Sequence, residues 1–265
     1  MFKAENKTIK LPSGAEMYYA KFGSGNKQML MIPGLNIVDM NGTADNLAYF
    51  YHKFANDFTV YVFDRRKGRD PDCTLRSMAD DLADAMNSLN ICDSYVLGVS
   101  QGGMIGQYLA AEHPGLVRRL VLGVTASKTN PVMLEAVGEW IAMAENNDLQ
   151  GVLTKSYDKM YTEKQMKVYQ GLIPFMMKFT KFMSTERFAD HARAIYTLDS
   201  YDILDKIKCP VLVLGAELDR ITTADGAREI ADKLGCDIYI FPDEGHAAYL
   251  NKKFNQMVYD FFTQE

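Results

Sequence analysis

The sequence predicts an α/β protein: a mainly parallel sheet covered by helices on both faces, with a purely helical block inserted between two late strands. Three observations predict it. Short apolar runs rich in β-branched and aromatic residues alternate with segments whose apolar residues recur at helical spacing, the pattern of strands joined by crossover helices. Several of the strand-like runs end in glycine or proline turns or in polar loops. From Thr125 to about Asp205 no strand-like run is found, and after it the alternation resumes.

Taken in order, residues 2–10 and 15–22 flank the turn cluster Leu11-Pro-Ser-Gly14 and read as an antiparallel hairpin. Gln28 to Ile32 is a short apolar strand that ends in the loop Pro33-Gly34-Leu35-Asn36. Leu47, Phe50, Tyr51 and Phe54 mark a helix, and Phe58 to Phe63 a strand. The loop Asp64-Arg-Arg-Lys-Gly-Arg-Asp-Pro71 follows. Leu75, Met78, Ala79, Leu82, Met86 and Leu89 share one helical face, away from Asp80, Asp81 and Asp84. Tyr95 to Leu97 is a buried strand, and the next helix stops near His113-Pro114. Val117 to Val124 is again a strand. Helical segments are then expected around 131–145, 148–159, 163–181 and 185–198. Cys209 to Leu214 and Cys236 to Phe241 are the last strands, with a helix through Ala227, Ile230, Ala231 and Leu234 between them and a closing helix from Tyr249 to Phe262.

The composition narrows the function classes. With 265 residues and 48% hydrophobic content the chain can bury one sizeable core plus a subdomain. Its net charge of −5 is a poor match for nucleic acid or an anionic membrane. Residues 1–8 lack the apolar core of a signal peptide, and no apolar run approaches spanning length, so a cytoplasmic protein without membrane contact is expected. Cys73, Cys92, Cys209 and Cys236 are widely spaced, which argues for free thiols and against a metal site or disulfide framework. A homodimer is left open.

The chemistry is concentrated after the strands, where open parallel sheets bind ligands. Gly98-Val-Ser100-Gln-Gly102 is a G-x-S-x-G between a strand and a helix. That is the context of a nucleophile elbow, which needs a sharp turn to raise the serine hydroxyl and glycines where side chains would collide. A serine nucleophile needs a base, and the base needs an orienting acid. Of four histidines, His246 lies in the loop after the last strand and is the expected base, ahead of His52 and His191; His113 reads as a capping or surface residue. Asp219 is the preferred acid, because its shorter side chain suits a tight approach to the imidazole, and Glu217 is the runner-up. An oxyanion requires two backbone donors, expected from Gln101 and from Leu35 after Gly34. Arg65-Arg66-Lys67-Gly68-Arg69 reads as a solvated loop, with Arg65 or Arg66 bridging acidic neighbours, rather than as an anion site. The methionines and aromatics of the helical block divide between its own core and an apolar pocket: Met133, Met143, Met160, Met166, Met176, Met177, Met183, Trp140, Tyr157, Tyr161, Phe175, Phe179 and Phe182. Gly34, Asn36, Trp140, Met143 and Tyr161 are the candidate substrate contacts.

Ser100, Asp219 and His246 follow in the order nucleophile, acid, base, and with the elbow this resembles the α/β-hydrolase superfamily over nearly the whole chain. Pro33-Gly34 resembles the oxyanion-loop His-Gly, Asp64-Arg-Arg66 the D-x-R-G turn, and Ser100-Gln-Gly-Gly103 the S-x-G-G elbow; Pro210 to Gly215 with Asp219, and Gly245-His246, resemble the late motifs. The chain departs at Pro33, where a histidine is usual, and at the altered D-x-R-G-x-G turn. The resemblance is to small members with a helical cap, such as carboxylesterases, enol-lactonases and C–C bond hydrolases. It implies an eight-stranded sheet in a core of residues 1–124 and 206–265, a cap over 125–205, and no cofactor.

The expected function is that of a serine hydrolase acting on a small to medium, apolar ester through an acyl-enzyme on Ser100. Lactone hydrolysis, C–C bond hydrolysis and acyl transfer use the same triad and are the alternative. A hydrolase-like sensor of a small ligand, with little turnover, is the alternative from another class.

Overall fold

A computed structural model describes residues 3–171, 173, 177–178 and 180–264. Eight strands form one sheet in the order β1-β2-β4-β3-β5-β6-β7-β8. They are β1 (Glu5–Lys10), β2 (Glu16–Phe22), β3 (Lys27–Ile32), β4 (Phe58–Arg66), β5 (Ser94–Val99), β6 (Val117–Gly123), β7 (Val211–Ala216) and β8 (Asp237–Phe241). The first two pairings, β1 with β2 and β2 with β4, are antiparallel, and all later ones are parallel.

The sheet has a core on each face, and β3 shows why. Its side chains alternate with period two, so Leu30 and Ile32 enter one core while Met29 and Met31 enter the other. The first core is closed by the helices Leu75–Ser88 and Gln101–Glu112, the second by Phe54, Phe58, Phe254 and Phe262. Thr74 starts the helix at Leu75 with a reciprocal capping box to Ser77.

β4 differs from its sequence-based boundary. The strand runs on through Asp64, Arg65 and Arg66, with Arg66 paired to Met17 of β2. Charge disguised these residues as loop; their side chains find partners inside the fold, so the ladder continues.

Between β6 and β7 the described residues include the helices Pro131–Glu145, Leu149–Met160, Glu163–Tyr169 and Thr185–Arg193. The third is shorter than the 163–181 expected, and Phe175, Met176 and Phe179 lie outside the described residues. The backbones of Lys128 and Asp199 form an isolated antiparallel β-bridge, and Ser200 N–H donates to the Ser127 carbonyl at 2.9 Å. The Ser200 hydroxyl donates to Gln107 at 2.8 Å, so both ends of the helical stretch are tied to the helix that follows β5. Its middle meets the loop after β3: Met183 N–H donates to Ile37 and Asp39 N–H to Lys181, both at 3.1 Å.

Candidate active site

The turn after β5 holds Ser100 at φ 53°, ψ −122°. A side chain at positive φ costs on the order of 1–3 kcal/mol and persists only where surroundings enforce it. Here the enforcement is visible. Ser100 N–H donates to the Gly123 carbonyl at 2.8 Å, and the Thr125 hydroxyl donates to the Ser100 carbonyl at 2.8 Å. The glycines are sterically required. A Cβ on Gly98 would lie 2.5 Å from the Gly102 carbonyl oxygen, and one on Gly102 only 2.0 Å from that of Ile32.

Ser100, His246 and Asp219 are brought into one chain. His246 Nε2 lies 2.9 Å from Ser100 Oγ, and Nδ1 lies 2.8 Å from Asp219 Oδ2. The loop before His246 is braced by the helix above it: a Cβ on Gly245 would meet the Met160 carbonyl oxygen at 2.7 Å. Asp219 is buried. Its Oδ1 accepts from the Ile221 and Thr222 amides at 2.8 and 3.1 Å, and Oδ2 accepts from the Thr222 hydroxyl at 2.8 Å. Burial by itself would raise the Asp219 pKa; the His246 charge, its hydrogen bond and these donors outweigh it and hold the carboxyl below its ordinary value. Asp219 therefore stays ionised beside the imidazole.

The rival candidates fall elsewhere. Glu217 is exposed and paired to Arg228. His52 contacts the Tyr49 carbonyl at the surface, and His113 contacts Asp80. His191 is buried; burial, with Arg65 and Arg187 nearby, pushes its pKa down to about 3.

The residues expected to cradle an oxyanion stand beside the serine. A Cβ on Gly34 would be 3.3 Å from Ser100 Cβ, so the loop after β3 passes against the elbow. Among the described residues no acceptor takes the Leu35 or the Gln101 amide N–H. Gln101 opens the helix, where the first amides have no partner of their own.

Arg65 corrects the solvated-loop expectation, for it is buried. One nitrogen, Nη2, donates to the Pro33 carbonyl at 2.7 Å and to Gln101 Oε1 at 3.0 Å. Gln101 Nε2 in turn donates to the His191 carbonyl at 2.7 Å. The neighbouring cations are all paired: Arg66 with Asp81, Lys67 with Glu16, Arg69 with Asp190.

A cavity of about 290 Å³ opens over Ser100 and His246 and is lined by Gly34, Leu35 and Asn36 from below and by Met133, Trp140, Tyr157 and Met160 from the helical stretch. Of the candidate contacts, Gly34, Asn36 and Trp140 line it, and Met143 and Tyr161 do not. Met143 points at Gly151 of the next helix, where its methyl would meet an added Cβ at 2.4 Å. Tyr161 sits just past the end of helix Leu149–Met160 and packs on Tyr157 and Tyr169, with ring centroids 5.7 and 5.1 Å away. Tyr157, one turn earlier, takes the place expected for Tyr161. Arg65 and Thr222 also hold site residues in place; Arg65 is the variable position of the Asp64-Arg-Arg66 turn, and the sequence signal for Thr222 was only its position three residues after Asp219.

Among the described residues no cluster of three His, Cys, Asp or Glu could hold a metal ion, and no helix is long and apolar enough to cross a membrane.

The chain is 24% identical over 222 residues to 3-oxoadipate enol-lactonase 2 of Acinetobacter baylyi, covering 78% of each chain. It is 23% identical over 265 residues to the serine hydrolase BPHL of Homo sapiens, covering 94% of this chain and 84% of that one. Its fold superposes on the crystal structure of an enol-lactonase from Burkholderia xenovorans with a TM-score of 0.85 and 20% identity, covering 97% of this chain and 100% of the other. The sequence profile of the alpha/beta hydrolase fold matches residues 29–253. That span takes in all of the sheet from β3 onward save the first two residues of β3, and the chain belongs to the alpha/beta hydrolase family.

Proposed function

We propose that the protein is a serine hydrolase that cleaves a small to medium, mainly apolar ester through an acyl-enzyme on Ser100. The observation that carries the reading is the unbroken hydrogen-bonded chain from Asp219 through His246 to Ser100 at the floor of an apolar cavity. In this reading Ser100 Oγ attacks the ester carbonyl and its proton passes to His246 Nε2. The ionised Asp219 orients the imidazole and stabilises the imidazolium. The Leu35 and Gln101 amides hold the oxyanion, and loss of one such donor typically costs on the order of 10²–10³ in rate. His246 returns the proton to the leaving alcohol, and water then releases the acid by the same steps. The helical stretch 125–205 acts as a cap that excludes bulk water, and no cofactor enters.

The test compares wild type with Ser100→Ala on p-nitrophenyl esters of increasing acyl length. Turnover by wild type and its loss in the variant support the reading; equal rates remove it.

Likeness to two enol-lactonases, one by sequence and one by fold, favours lactones as the second reading. A lactone is an ester whose leaving alcohol stays tethered, so the same residues serve. Lactone turnover without turnover of open-chain esters would select it.

A further inference from the structure

Two hydroxyls that line the cavity over Ser100 are committed to protein partners. Thr222 donates to Asp219, and Ser156 donates to the Val152 carbonyl at 2.7 Å. Tyr157 and Tyr249 line the same cavity, and neither phenol has a hydrogen-bond partner among the described residues. Tyr157 stands on helix Leu149–Met160, which packs against the short helix His246–Leu250 that carries Tyr249. The two phenols thus reach the cavity from the helical stretch above it and from the segment that begins with His246. Charge is the other observation. Among the described residues no Lys, Arg, Asp or Glu lines the cavity, and the buried Arg65 is not part of its wall.

From these two observations we infer that the ester carries a second, neutral oxygen, a ketone or an ether remote from the scissile carbonyl, which accepts hydrogen bonds from Tyr157 and Tyr249. The inference rests on the ester-hydrolase reading and narrows its substrate class.

The direction of the bonds follows from the phenols. Burial raises the pKa of Tyr157, and burial with Tyr51, Tyr161 and Tyr157 nearby raises that of Tyr249. Both therefore keep their O–H at neutral pH and offer a donor. An all-hydrocarbon arm would cover the phenols and leave two donors unpaired, which is unfavourable away from water. A carboxylate would accept from them, but it would be buried without a counter-ion, with the ionised Asp219 behind His246 opposing it. A neutral acceptor on an otherwise apolar chain meets both conditions. The Met133, Val137, Leu153 and Met160 side chains that line the cavity suit the remainder of that chain.

The experiment compares p-nitrophenyl esters of equal chain length: hexanoate, 4-oxohexanoate, 5-oxohexanoate and the adipate monoester. Wild type is expected to show a kcat/KM about tenfold higher for the better keto ester than for hexanoate, and a lower one for the adipate monoester. In the double variant Tyr157→Phe/Tyr249→Phe the keto-to-hexanoate ratio should fall to about one, since each ring stays and only its hydroxyl is lost. Each single variant should lower the ratio in part. Equal rates for keto ester and hexanoate in wild type, a preference for the adipate monoester, or a keto preference that survives in the double variant overturns the inference. Melting temperature and fluorophosphonate labelling show that the variants fold. Calorimetric binding of 2,7-octanedione to Ser100→Ala is a readout without turnover. Adding both Phe substitutions should weaken it about tenfold, and equal affinity counts against the phenols as donors. Absence of turnover of all four esters by wild type is failure of the hydrolase reading, and the calorimetry then still decides whether the phenols hold a neutral acceptor.

Discussion

Arg65 donates to the side chain of Gln101 at 3.0 Å, and with the same nitrogen to the backbone of Pro33 at 2.7 Å. One buried guanidinium thus ties the elbow to the loop after β3, the two segments whose amides are proposed to meet the oxyanion. Burial pulls the Arg65 pKa down to about 10, against the opposing pull of Asp64, so the group is still a cation at neutral pH.

Arg65→Met should lower kcat by about 10–100-fold with a smaller change in KM, since it loosens both donors without touching substrate. Arg65→Lys should recover part of kcat, because an ammonium keeps the charge but lacks the planar fork. Steady-state kinetics on a p-nitrophenyl ester check both; a loss confined to KM would remove the positioning role.

Asp219→Asn should reduce kcat by about 10⁴, the amide favouring the wrong imidazole tautomer while the cavity is left intact. Thr222→Val removes one donor to Asp219 Oδ2 and should cost about 1 kcal/mol of stability. Kinetics read the first and denaturant midpoints the second.

Gly102→Ala would place a methyl 2.0 Å from the Ile32 carbonyl oxygen, which is backbone and has little room to yield. It should destabilise by about 1–3 kcal/mol or more, through overpacking. Gly115→Ala, with nothing within 4 Å of the added carbon, is the matched control and should shift the urea midpoint little.

His191 makes stability depend on pH. It is neutral in the fold, with a pKa of about 3 against its ordinary value of 6.5. Above pH 6.5 neither state is protonated. As pH falls below that, the unfolded chain takes up a proton that the folded chain refuses, so stability is progressively lost towards pH 3. The slope from this group is at most about 1.4 kcal/mol per pH unit. His191→Gln should therefore flatten the fall in melting temperature between pH 6.5 and 4 relative to wild type; parallel curves would show that His191 does not titrate in this way.

The parts of the fold that were legible in the sequence are those written in local pattern. Strand β3 and the helix Leu75–Ser88 announce themselves through periodicity, and Ser100 through a turn whose glycines leave no alternative. His246 and Asp219 could be named as candidates because each follows a strand, where open parallel sheets bind ligands. Arg65 could not be read correctly: a charged run looks the same whether solvated or paired, and its acceptors lie 32 and 36 residues away. Trp140 against Met143 turns on which face of helix Pro131–Glu145 meets the cavity, and Tyr157 against Tyr161 on where helix Leu149–Met160 ends, and neither is written in local pattern.

The sequence by itself determined the succession of strands and helices along the chain and the position of the elbow, because each rests on local periodicity or short-range sterics, and it narrowed the proposed triad to Ser100, His246 and one of two carboxylates, Asp219 or Glu217. The tertiary structure decided that Asp219 rather than Glu217 meets His246, that Arg65 is buried between Pro33 and Gln101, and that a cavity opens over Ser100. Those outcomes depend on crossover connections bringing distant loops to one edge of the sheet, and no local pattern encodes that distance.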